Sequence, residues 1–292
     1  MTLGVPGEGG YTDASTVPLA EGPNDGVEAQ RRRQQTQPMG IPRGTPRRRR
    51  MPRWLRRFLI VVMTLALVAT VTFATLLLVT PSVSNAPALA RSFDLAHHAA
   101  YPGPPVPARF AAALVSTEDH RFYSEPGIDP LAIARVIRGH LTSQPDQGGA
   151  TLYQQLAKML YTSGSSGVSV EVEQMVLGIK LDLTYSKAEI LRLYADIAYF
   201  GHGYYGLAAA SCGYFGVTPD GLSWPQAALL AGLVQAPSAD NPIAHYHVAR
   251  AREAHVLGRL AATGKLTQAQ ASRAYRQPLR LVGGPSTGCT AG

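Results

Sequence analysis

The sequence predicts a mainly α-helical domain carried on one N-terminal membrane-spanning helix. Three observations carry this prediction. Phe58 to Val79 is a run of 22 residues without a charge. Helix-start signals recur through residues 101–276, and no sustained period-2 alternation or Asn-Gly hairpin appears anywhere. The 292 residues allow one or two domains, with enough chain to bury a core.

The formal charge of +8 is unevenly spread. Eleven of the 27 basic residues lie between Arg31 and Arg57, a stretch with no acidic residue, whereas the chain after Val79 carries 16 basic and 14 acidic ones. Residues 1–57 are rich in Gly, Pro, Gln and Arg, have no apolar period, and read as a disordered basic tail. Residues 58–79 would span about 33 Å as a helix, enough for a hydrocarbon core of about 30 Å. The basic run immediately before them, with Trp54 at the interface, places the N-terminus in the cytoplasm and the domain outside the plasma membrane. A cleaved signal peptide ending near Ala88-Leu89-Ala90 is the alternative, and it exports the domain equally. Anionic lipid is the simpler partner for the arginines, since no aromatics interleave them as nucleic-acid binding would favour.

Residues 80–100 are rich in Pro, Ala and Ser and read as a short tether before a domain at 101–276, with 277–292 as a C-terminal tail. Asp129-Pro130 pairs an N-cap with a first-turn proline. Ser186 with Glu189, Ser223 with Gln226 and Thr267 with Gln270 are capping boxes, each predicting a helix start. Thr162 to Ser169 is the most loop-like stretch. Cys212 and Cys289 are too few for a disulfide framework and match no metal spacing.

Two segments carry candidate chemistry. Ala111, Leu114 and Val115 form an apolar helical face that Glu118 continues, so Glu118 and Asp119 should stand at a helix end ahead of Pro126-Gly127. A solvated acidic pair beside His120 and Arg121 is the bland reading of the same residues. Gly148 and Gly149 let a ligand approach the backbone, and the helix after them would offer N–H groups and a positive dipole end to a diphosphate. Thr151, Gln154, Gln155 and Lys158 follow, with Gln154 and Lys158 one turn apart on one face. His202, His245, His247 and His255 form no recognisable metal set, and the aromatics Tyr194, Tyr199, Phe200, Tyr204, Tyr205, Tyr214 and Phe215 read as core.

Taken in order, the motifs Glu118-Asp119-x-x-Phe122-x-x-Glu125-x-Gly127, Gly148-Gly149-x-Thr151-x-x-Gln154-Gln155-Leu156-Ala157-Lys158, Tyr185-Ser186-Lys187-x-Glu189-Ile190-Leu191, Tyr199-Phe200-Gly201 and Ala227 to Pro237 resemble the family-51 peptidoglycan glycosyltransferases. The likeness runs from about Pro107 to Tyr275. It implies a lysozyme-like, all-helical head that polymerises lipid II into glycan strands, with Glu118 as general base and Asp119 supporting it. Departures accompany the likeness. Glu125 stands where the family usually has His, and Ala150 and Tyr153 replace Ser and Thr. The family's Arg-Lys-x-x-Glu motif falls on Val170 to Gln174, so that Gln174, or Glu173 after a one-residue shift, takes the place of its second Glu and the Arg-Lys pair is missing. Lys158 is then the clearest remaining cation.

The resemblance implies an enzyme without a required cofactor, although a divalent cation such as Mg²⁺ can bridge diphosphate oxygens. Its implied partners are lipid II, the growing glycan chain, the plasma membrane and other cell-wall synthesis proteins, with no nucleic acid. No serine has Lys three positions on, and about 55 residues remain after Pro237, so no transpeptidase half is expected. Two alternatives share the fold: a weakened or silent module that binds lipid II as a scaffold, and a lysozyme-like enzyme that cleaves glycan.

Overall fold

The computed structural model describes residues 51–124, 150–282 and 289. The Asp129-Pro130 helix start and Gly148-Gly149 lie outside the described residues. Among those residues the structure is helical, and the lone sheet-like pairing is an isolated bridge between Tyr199 and Tyr205.

Helix α1 runs Arg53–Val79 and is long and apolar enough to cross a membrane, with no buried residue. It begins five residues before the predicted start at Phe58. Pro52 lacks an N–H but supplies the first carbonyl, accepting from Arg56 N at 3.1 Å, and the Arg-Trp-Leu-Arg-Arg that follows opposes a helix nowhere.

The expected tether at 80–100 is instead a packed segment. Residues 80–85 are pinned by the Lys180 ammonium, which donates to the Thr80 and Pro81 carbonyls, and by the Tyr185 hydroxyl, which donates to Val83 O at 2.9 Å. Helix α2 (Ala86–Ala96) follows, with a proline in its first turn. Its buried face is Ala86, Ala90 and Asp94, spaced by four, which packs on later helices. Two alanines and an aspartate make a face with no bulky apolar side chain, which is why its periodicity is silent in the sequence.

Helices α3 (Ala108–Glu118), α4 (Leu152–Tyr161), α5 (Val168–Thr184) and α6 (Lys187–Ile197) are followed by α7 (Leu207–Phe215), α8 (Trp224–Leu233), α9 (Tyr246–Ala262) and α10 (Gln268–Tyr275). All three predicted capping boxes are formed, at the starts of α6, α8 and α10. Residues Pro225 to Leu233 of α8 are buried on every side, so α8 is a central post against which α3, α9, α7 and α10 pack. A second group forms around α4, which packs on α5, α6 and α2. Tyr194, Phe200, Tyr214 and Phe215 belong to the core as the sequence suggested.

The C-terminal segment is no free tail. Leu279 is buried, its carbonyl accepts from the Gln226 amide, and Val282 N donates to Tyr214 O at 2.9 Å. Cys212 of α7 and Cys289 are joined in a disulfide with Cα atoms 5.6 Å apart, within ordinary bridging range.

Candidate active site

The two helix groups meet where α3 ends. Glu118 is the last residue of α3, and Asp119 leaves the helix with φ −152° and ψ 73°, its N–H still bonded to Val115 O. This is the helix-end placement that the apolar face of α3 dictates: Leu114 and Val115 are buried against the core, and the residues one turn on emerge at its edge. Both carboxyls are partly buried.

Helix α4 supplies the opposite wall. Asp119 Oδ2 accepts from Leu152 N at 3.1 Å, the Thr151 hydroxyl accepts from Gln154 N at 3.2 Å, and the Thr151 carbonyl accepts from Gln155 N. These first-turn N–H groups, which the sequence offered to a diphosphate, are therefore engaged within the protein: the Asp119 carboxylate and the Thr151 cap occupy the positive end of α4. Gln155 differs from its expected role as well. Its amide Nε2 donates to Glu118 Oε2 at 3.0 Å and, more weakly, to Ala150 O at 3.4 Å, while its Oε1 accepts from the Tyr194 hydroxyl of α6 at 2.8 Å.

Burial is the largest influence on Glu118 and raises its pKa above the usual carboxylate range. The Gln155 hydrogen bond and the Arg252 charge oppose the rise, and the neighbouring Asp119 charge adds to it. Asp119 is likewise raised, first by burial, against the pull of the Leu152 N–H and then of Lys187, His120 and Arg121. A carboxyl so placed is still able to ionise, yet it holds a proton more readily than a surface glutamate, which is the property of a general base.

Two cations that the sequence reading did not assign stand near this pair. Arg252, on α9, is held by Asp240 through an Nε–Oδ2 contact of 2.8 Å and donates from its guanidinium to the side-chain Oε1 of Gln235. Its stem crosses Gly232 of α8, where a Cβ would lie 2.4 Å from Arg252 Cγ, so glycine is needed for the close passage. Lys187, the first residue of α6, pairs with Asp182 at 2.9 Å and lies over the rings of Tyr153 (4.7 Å) and Phe122 (5.1 Å). Tyr153 is thus more than a lost threonine hydroxyl. Its buried ring is the bed on which Lys187 rests. The separation between Glu118 and Arg252 hides the influence of that charge from any local motif, while Lys187 was visible within the Tyr185 to Leu191 motif with no role attached.

The remaining predicted residues divide. Lys158 is exposed in the last turn of α4, three residues beyond Gln155 and so about 4.5 Å further along the helix axis. Gln154 is partly exposed on the same helix. Glu173 is partly exposed on α5, whereas Gln174 is buried, donating to the Thr162 hydroxyl at 2.9 Å and to Ser165 O at 3.4 Å. Gln174 therefore holds the turn after α4. Gly148 and Gly149 lie outside the described residues. Among the described residues there is no cluster of three or more His, Cys, Asp or Glu that could cage a metal.

A family model described as transglycosylase matches residues 91–261, well over half of the chain. The chain is 35% identical over 176 residues to a predicted transglycosylase of Cupriavidus necator, covering 60% of this chain and 76% of that one. It is 38% identical over 177 residues to penicillin-binding protein 1A of Aquifex aeolicus, covering 60% of this chain but 24% of that protein, so it spans about a quarter of such relatives. A crystal structure of penicillin-binding protein 1A from Haemophilus influenzae aligns with 61% of this chain and 18% of its own at 21% identity and a TM-score of 0.37. Since the matched span opens within α2 and closes within α9, it takes in the carboxyl pair, the helix that caps it and the arginine that faces it, and on that extent the chain belongs to the transglycosylase family, the family-51 peptidoglycan glycosyltransferases.

Proposed function

We propose that this chain is a membrane-anchored enzyme that polymerises lipid II, with its N-terminus cytoplasmic, α1 in the plasma membrane and the helical head on the outer side. The single observation that carries the reading is Glu118: a half-buried carboxyl with a raised pKa, oriented by an amide, at the edge of the core of a transglycosylase-family domain.

In the proposed step, the 4-hydroxyl of one sugar attacks the anomeric carbon of another. The hydroxyl O–H bond breaks and its proton passes to Glu118, the new glycosidic C–O bond forms, and the bond from C1 to the diphosphate oxygen breaks, with its electron pair leaving on the lipid diphosphate. Diphosphate is a good leaving group, so a single carboxylate can suffice where a glycosidase generally needs a second one to protonate an alkoxide. Asp119 supports the site by fixing α4 against α3 through Leu152 N. Lys158, exposed on the helix that carries Gln155, is the cation assigned to the departing charge.

The test is polymerisation of lipid II by the purified full chain in detergent, beside its Glu118→Gln variant. Glycan strands from the wild type and none from the variant are expected. A silent wild type, under conditions in which another family member polymerises, overturns the reading and favours the scaffold alternative, for which the substitution of Gln174 and its use in holding the 162–165 turn speak. Release of fragments from purified sacculi would instead indicate glycan cleavage.

A further inference from the structure

We infer that Tyr194 is a positioning residue for the base: by donating its hydroxyl hydrogen to Gln155 Oε1, it fixes the amide so that Nε2, a donor, always faces Glu118. The inference rests on the reading of Glu118 as the base and names a residue that the family motifs leave in the core.

The argument is one of donors and acceptors. A glutamine amide has one accepting and one donating end, and both ends of Gln155 are in contact. On one side stand two acceptors, Glu118 Oε2 at 3.0 Å and Ala150 O at 3.4 Å. On the other stands the Tyr194 hydroxyl at 2.8 Å. Tyr194 is 2% exposed, and its phenol is held un-ionised by burial and by the Glu118 charge, so it remains a donor. Were the amide turned over, Oε1 would face a carboxylate oxygen, which is favourable only once Glu118 is protonated, and the buried phenolic hydrogen would lose its acceptor. The two amide orientations therefore correspond to the two protonation states of Glu118, and Tyr194 holds the one that favours the ionised base. The other charged groups that act on Glu118 are Arg252 from α9 and Asp119 from its own helix end.

The chain of contacts has a further consequence. Gln155 Nε2 occupies Oε2, so Oε1 of Glu118 is the oxygen presented to a substrate hydroxyl. A fixed carboxylate plane aims that lone pair; a carboxylate free to rotate would not.

The experiment titrates Glu118 in the full-length chain in detergent micelles, by ¹³C NMR of side-chain-labelled glutamate, with Glu118→Gln assigning the signal. Tyr194→Phe removes only the hydroxyl, and its titration midpoint is expected to rise by roughly one pH unit. Gln155→Leu should raise it by roughly one to two units. In the double variant Tyr194→Phe should add nothing to Gln155→Leu, because it acts through the missing amide. An unchanged midpoint in Tyr194→Phe, or an equal rise in both backgrounds, overturns the inference. Should Tyr194→Phe not fold, an unchanged midpoint in Gln155→Leu overturns it. Lipid II polymerisation is followed in parallel, where the acid limb of kcat/KM should move with the midpoint while KM stays. A wild type that titrates as described but polymerises nothing sinks the transferase reading and leaves the wiring of Tyr194 standing.

Discussion

Asp94 is fully buried on α2 and has neither carboxylate oxygen in a hydrogen bond among the described residues. Burial, and after it the charge of Asp196 on α6, raises its pKa from 3.8 to about 7. Asp196 is itself raised, to about 6, mainly by burial and against the pull of the Gly103 N–H and Arg192. For an acid whose folded pKa lies above its unfolded one, stability is fully present below pH 3.8 and is lost as pH climbs to about 7, because folding then forces a proton onto the group. At 1.36 kcal/mol per unit, the cost is about 1.6 kcal/mol at pH 5 and saturates near 4 kcal/mol by pH 8. Asp94→Asn keeps the shape and abolishes the titration. Its stability relative to wild type should therefore improve by about 2–3 kcal/mol between pH 5 and pH 8, whatever constant offset the amide introduces. In thermal unfolding of the full chain in detergent, this is a relative gain of roughly 5–10 °C at the higher pH. Tyr101, Arg91 and Arg192 are the other groups that face the pair. A difference between variant and wild type that is flat from pH 5 to pH 8, or that grows against the variant, refutes the argument that α2 carries a strained carboxyl.

Glu118→Gln should lower lipid II polymerisation by about 10² to 10⁴ while leaving the melting temperature equal or higher, since a desolvated acid is removed; retained activity in gel assays of glycan strands excludes Glu118 as base. Cys212→Ala opens a bridge between residues 77 apart and should cost about 4.5 kcal/mol on the chain-entropy account, read as a lower denaturation midpoint that a reductant reproduces in the wild type but not in the variant. Gly201 has φ +83°, and a Cβ there would lie 2.2 Å from Pro237 O, so Gly201→Ala should lose roughly 2 kcal/mol or more, measured by the same denaturation, with loss below about 0.5 kcal/mol counting against the fit of this turn.

The parts of the fold legible in the sequence are those written in neighbouring residues. Ser186-Glu189, Ser223-Gln226 and Thr267-Gln270 announce helix starts because a capping box needs only residues three apart, and α1 announces itself by 22 uncharged residues. Glu118 and Asp119 could be placed at a helix end from the apolar face of α3 alone. What stayed hidden depends on chain distant in sequence. Helix α2 carries Asp94 where periodicity expects an apolar residue, and the segment before it is held by Lys180 and Tyr185 about a hundred positions on. The end of the chain reads as a polar tail until Leu279 and Cys289 are seen against α7 and α8. Gln155 was legible as a site residue but not as a partner of Glu118, because its role needs Tyr194, 39 residues away, to complete it.

The departures from the family pattern can now be weighed one against another. Tyr153 and Gln174 are structural: one floors Lys187, the other holds the turn after α4, so neither leaves a hole in the helical frame. Lys187 is committed to Asp182, and its charge is spent largely within the protein. Arg252 is likewise paired with Asp240. Among these three cations, Lys158 is the one that combines exposure with a place on the helix that carries Gln155. On the proposed reading, the base and its support form a partly buried, hydrogen-bonded unit, whereas neutralisation of the diphosphate would fall on an exposed lysine. An exposed cation contributes less to a developing charge than a desolvated pair would, because water screens it. If that reading holds, the loss that the missing Arg-Lys pair imposes should appear in the departure of the diphosphate, as a lowered rate that falls further with added salt, and not in the acid limb of the pH profile, which the inference assigns to Glu118, held by Gln155 and Tyr194.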